Sequence, residues 1–160
     1  MYDFKKIVTL IRTFFFVFVV GFTFHVLGFG TPYWSVDKYS SKGLWNNCYT
    51  FICLSNCSDL AWFEATQALE TLGLFAAFLA LVFLVLFIFH PQSSSNKAIF
   101  IIGMVSTFVA AGFTVLGIVI YGAKNRDLSW SYGLTVIAGA MYTGSGILMV
   151  LHLNLNLQQT

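Results

Sequence analysis

Charge is what this chain has least of. Eight lysines and arginines and six aspartates and glutamates in 160 residues make it only 9% charged, while 58% of its residues are hydrophobic; an ordinary soluble domain carries about 25% charged residues. So few charges cannot clothe a water-facing surface, so lipid is expected to cover most of one compact domain. No basic block occurs, and nucleic acid is excluded as a partner. A serine, histidine and acid arrangement, a metal-ligand spacing and a phosphate-cradling glycine loop are all missing, so no catalytic residue, metal or cofactor is expected. A membrane thiol oxidoreductase would need Cys-x-x-Cys, whereas the cysteines fall at Cys48, Cys53 and Cys57. The reading is a non-enzyme.

What the chain has instead is four long apolar runs, at about residues 7–29, 71–89, 98–121 and 132–153. A bilayer core of roughly 30 Å needs about 20 helical residues to cross it. In lipid every backbone amide must pair within its own segment, so these runs are expected to be helices. They do not alternate, which argues against a β-barrel. The first run has a basic start (Lys5, Lys6, Arg12) and a small-x-small end at Gly28-Phe29-Gly30. Its length and its start at Met1 favour a retained helix over a cleaved signal. The intervening segments are a polar loop at 30–70, a connector at 90–97 and a short loop at 122–131. His90-Pro91 and the serines after it stop the second helix. The tail at 154–160 is too short to hold a signalling domain.

An even number of crossings puts both termini on one side. Lys5, Lys6, Arg12 and Lys97 then oppose Lys38, Lys42, Lys124 and Arg126, and with the two sides in balance the positive-inside rule does not fix the orientation. The cysteines decide more. All three lie in the 30–70 loop, as expected of an oxidising compartment, beside the glycosylation sequon Asn56-Cys57-Ser58. That loop is therefore expected outside, and both termini in the cytoplasm of a plasma-membrane protein.

The order Trp34, Gly43-Leu44-Trp45, Cys48 and a later cysteine resembles the signature of the claudin, peripheral-myelin-protein and epithelial-membrane-protein superfamily. The resemblance continues through Leu60-Ala61-Trp62-Phe63-Glu64-Ala65-Thr66-Gln67-Ala68-Leu69. Trp130-Ser131-Tyr132-Gly133 at the start of helix four is similar to the lens-fibre and epithelial-membrane branch. It implies an all-α four-helix membrane bundle carrying a small extracellular antiparallel β-sheet stapled by one disulfide. Tyr39 to Thr50 has the aromatic and turn residues that short strands use, and Trp34 and Trp45 supply buried area. The spacing of short-loop lens-type members favours Cys48–Cys53, with Cys48–Cys57 the alternative. The chain departs from the junction claudins where Gln67 stands in place of an arginine, in its short loops, and in its Gln159-Thr160 end.

Ionisable residues within a bilayer usually mark function. Glu70 is expected at the mouth of helix two, facing the loop or headgroups, and Arg12 to snorkel. His25 and His152 are expected as hydrogen-bonded bundle or interface histidines at opposite ends. Ser106-x-x-x-Ala110 and Ala140-x-x-x-Gly144 fit close helix packing, expected within the molecule. The resemblance implies cell–cell contact or membrane organisation through the sheet, by self-association in cis or trans. An auxiliary subunit of an ion channel or receptor is the alternative. Asp37, Lys38, Lys42, Asp59 and Glu64 form no one-signed lining that would predict ion selectivity.

Overall fold

The computed structural model describes residues 2–49, 52–55, 60–89 and 97–157, with side chains between 9 and 155. Asn56, Cys57 and Asp59, and with them the sequon and the alternative disulfide, lie outside the described residues, as does the 90–96 connector.

Among the described residues four helices carry the fold: α1 (Tyr2–Gly30), α2 (Ala61–Phe89), α3 (Lys97–Lys124) and α4 (Trp130–Leu157). All four are long and apolar enough to cross a membrane. A 29-residue helix extends about 43 Å, so the helices outrun the apolar stretches that announce them. α2 shows why. Its first ten residues are too polar to read as a span, yet Leu60 O accepts the N–H groups of Phe63 (2.8 Å) and Glu64 (3.1 Å) and opens the helix. Glu64 in the first turn suits the positive end of the helix dipole. Phe63, Thr66, Glu70, Gly73, Ala77, Ala80 and Leu84 then recur at three- and four-residue intervals along one buried stripe.

α1 packs chiefly on α4, and α2 on α3. The main apolar core is built from Phe14, Phe18, Leu84, Phe100, Tyr142 and Met149 with small alanines between them. Ser145 Oγ donates to Phe14 O at 2.9 Å and ties α4 to α1.

Between α1 and α2 the chain forms an antiparallel meander in the order β1-β2-β3-β4: β1 (Ser35–Asp37), β2 (Ser40–Lys42), β3 (Asn46–Tyr49) and β4 (Ile52–Ser55). Cys48 on β3 lies directly opposite Cys53 on β4, and the two form a disulfide. Closing so short a loop removes unfolded-state freedom worth about 2 kcal/mol. The Cys48→Ser/Cys53→Ser double variant is expected to lose about that much in stability, all of it at the sheet. Limited proteolysis of the 46–55 hairpin with the helices intact would register it.

The α3–α4 connection closes over the first strand. Val36 N–H donates to Asp127 O (3.2 Å) and Ser129 N–H to Trp34 O (2.9 Å), with Ser35 and Leu128 forming a bridge. At the other end of the sheet β4 is the last strand among the described residues.

Candidate functional site

Two constellations stand out: the seat that fixes the sheet on the bundle, and a polar cluster beneath it.

The seat is made by the tryptophan and Gly-Leu-Trp residues. Trp34 is wholly buried, its ring 4.9 Å from that of Tyr121 and 5.7 Å from that of Tyr132. Its indole N–H donates to Gly28 O on the last turns of α1 at 2.6 Å. Leu44 is wholly buried too and shares a cluster with Trp34, Phe63, Ile118 and Tyr121. Gly43 is required by contact: a Cβ there would come within 2.6 Å of Pro32 Cα. Its N–H donates to Asn46 O at 2.8 Å, closing the turn into β3. Gln67, reaching up from α2, donates to Leu44 O at 2.6 Å. Trp45 departs from expectation. It is 39% exposed and covers Phe29 with rings 5.2 Å apart, a lid more than a core residue.

Above this seat the sheet exposes several large apolar side chains beside the charged Asp37, Lys38 and Lys42. Tyr39, Tyr49, Ile52 and Leu54 are exposed, and every residue of β4 is exposed. A shallow cavity of about 480 Å³, lined by Val36, Tyr39, Ile52 and the Cys48–Cys53 pair, opens on one side.

Beneath the seat lies a cluster that overturns the expectation for Glu70. This carboxyl does not face loop or headgroups. It is wholly buried, with Oε2 3.1 Å from His25 Nε2 on α1. His25 Nδ1 lies 3.2 Å from the hydroxyl of Tyr142 on α4. One chain of polar atoms thus joins α2, α1 and α4. The physical reason is a pair of reciprocal notches between α2 and α3. A Cβ on Gly117 would collide with Glu70 Oε1, and one on Gly73 would lie 2.9 Å from Thr114 Oγ1. Each glycine makes room for the polar side chain three residues from the opposite glycine. The helices approach closely enough there to enclose a carboxyl. Neither Glu70 Oε1 nor Thr114 Oγ1 has a hydrogen-bond partner among the described residues.

His152 belongs to the other end of the bundle, nearly buried against Phe14 and Phe100 at ring separations of 6.0 and 5.3 Å. Ser106 and Ala110 lie in the buried stripe of α3. Ala140-x-x-x-Gly144 does not pack inside the molecule as expected: Ala140 is exposed, and a Cβ on Gly144 would meet nothing within 4 Å. That face of α4 looks away from the bundle, because the inward stripe is taken by Ala138, Tyr142, Ser145 and Met149. Among the described residues no group of three potential metal ligands occurs.

The partners in the polar cluster are 45 and 117 residues apart, so sequence spacing did not reveal them. The available signal was the pair Glu70-x-x-Gly73 and Thr114-x-x-Gly117, polar side chains at helical spacing from glycines in two apolar runs. No protein-family model and no curated protein matches this chain.

Proposed function

We propose that the protein is a non-enzymatic tetraspan of the claudin type, inserted in the plasma membrane with both termini cytoplasmic and the sheet outside. It would act in cell–cell contact or membrane organisation through that sheet. The observation that carries this reading is the combination of a firmly seated sheet with large apolar side chains exposed on it and β4 as the last strand of the sheet among the described residues. Exposed edges are ordinarily blunted by charge, proline or cover. β4 instead presents Ile52 and Leu54, at 63% and 59% exposure. An edge of this kind accepts another strand by main-chain pairing, with the alternate side chains giving specificity. The resemblance in Trp34, Gly43, Leu44, Trp45 and the cysteine pair supports the same reading. The test is expression in non-adherent cells. Aggregation and enrichment at cell borders are expected, and uniform surface distribution without aggregation would sink the idea.

The outer face of α4 supports a second reading, an auxiliary subunit of a channel or receptor. Ala140 and Gly144 leave a shallow lane toward which another helix could pack closely. Purification in mild detergent separates the two: a stoichiometric channel partner establishes the auxiliary role, and a lone monomer or homo-oligomer counts against it.

A further inference from the structure

Glu70 poses a problem of electrostatics that its geometry resolves. Among the described residues it is the only buried carboxyl, and no lysine or arginine is buried with it. The groups facing it are His25 from α1, Thr114 and the backbone at Gly117 from α3, and Tyr142 and Tyr132 from α4. Gln67, one turn away on α2, is engaged with Leu44. Nε2 of His25 and Oε2 of Glu70 are 3.1 Å apart and need one proton between them.

Three arrangements supply that proton. A neutral imidazole donating to a carboxylate leaves a net negative charge in the middle of an apolar bundle. An imidazolium facing a carboxylate is neutral as a pair but leaves a charged oxygen, Oε1, without a donor. Burying an unpaired charged oxygen is among the most costly choices a protein interior offers. In the third arrangement Glu70 is an acid donating from Oε2 to Nε2, and Oε1 is an uncharged carbonyl oxygen. The imidazole proton then sits on Nδ1 and donates to the Tyr142 hydroxyl oxygen, 3.2 Å away. Every atom of the His25 ring is satisfied, and no charge is buried.

We propose that Glu70 is a proton-binding site inside the bundle, holding one proton as the neutral acid that hydrogen-bonds His25, so that closure of α1, α2 and α4 is tied to occupancy by that proton. The sign of the linkage follows. In an unfolded chain a glutamate loses its proton at about pH 4.3 and a histidine at about pH 6.5. Between those values the unfolded pair holds one such proton, as the folded pair does; above about pH 6.5 the unfolded pair has given it up while the folded pair keeps it. The folded-to-unfolded ratio therefore falls as pH rises, by up to tenfold per pH unit, until the folded protein also ionises. An imidazolium–carboxylate pair binds the same number of protons and gives the same slope, so the slope counts the proton and the infrared band below places it on Glu70.

The experiment is infrared spectroscopy of the full chain in lipid nanodiscs at neutral pH. The carbonyl-stretch band of a protonated carboxylic acid is expected in the wild type, absent in Glu70→Gln and retained in Glu64→Gln, whose carboxyl is exposed. An unfolding series in the same preparation should show stability decreasing toward alkaline pH, with the slope reduced in Glu70→Gln. If Glu70→Gln does not fold, the wild type alone decides. A spectrum with carboxylate bands only, or stability that rises with pH above about 6.5, overturns the proposal.

Discussion

Replacing His25 with leucine is expected to cost the folded bundle about 3 kcal/mol, although the substitution exchanges a polar residue for an apolar one inside a membrane helix. The reason lies in what is left behind. Glu70 Oε2 and the Tyr142 hydroxyl both lose their partner at His25, and each buried polar group left unpaired costs roughly 1–3 kcal/mol. Leucine also lacks the shape to fill the space between Phe29 and Tyr142, whose rings lie 6.4 and 5.8 Å from the imidazole. The double variant His25→Leu/Glu70→Leu should be more stable than His25→Leu alone, because replacing both members of a buried polar pair removes the orphan along with the bond. Denaturation titrations of the two variants in detergent, compared with Glu70→Leu in a double-mutant cycle, measure the coupling. A double variant destabilised by the sum of the two single effects would mean that the two side chains do not depend on each other.

The helices and the seat of the sheet were legible in the sequence for different reasons. A membrane span advertises itself locally, since lipid demands about 20 apolar residues in a row whatever the helix packs against. Trp34 and Gly43 were legible because a large aromatic and a turn glycine in a polar loop have few roles open to them, whereas the buried leucine beside them, Leu44, takes the place expected of Trp45. Glu70 and His25 were not, because their meeting depends on the rotation of two helices about their own axes. Hydrophobicity cannot set that rotation in runs that are apolar on every side. The cue lay in the glycines, Gly73 and Gly117, which mark where α2 and α3 come close enough to enclose a carboxyl. Ala140 and Gly144 carry the opposite lesson. Small residues four apart say that another helix is able to approach, and they do not say from which side. The beginning of α2 was hidden for a third reason: Glu64, Gln67 and Glu70 make residues 61–70 polar enough to pass for loop, yet two of those side chains are spent on contacts inside the protein.

Trp34→Ala is the substitution expected to do most damage to the upper half of the molecule, at about 3–5 kcal/mol for removing a wholly buried tryptophan. Its indole fills the gap between α1, the sheet and the α3–α4 end, touching Tyr121 and Tyr132 and bonding Gly28 O. Nothing near it collapses easily into the space. Leu44 is held by the turn at Gly43 and by Gln67, and Phe63 by α2. Trp34→Phe should keep most of the packing while leaving the Gly28 carbonyl without its indole donor, for a loss of about 1–2 kcal/mol. The damage should be local. The main core around Phe14, Phe18 and Leu84 shares no residue with the Trp34 cluster. Helix content should therefore survive Trp34→Ala, while residues 35–55 become open to protease and the contact activity proposed for the sheet is lost. Hydrogen exchange of the strand amides against those of α2 and α3 separates this outcome from global unfolding. Uniform loss of protection in strands and helices alike would show that the seat and the bundle fold as one cooperative unit.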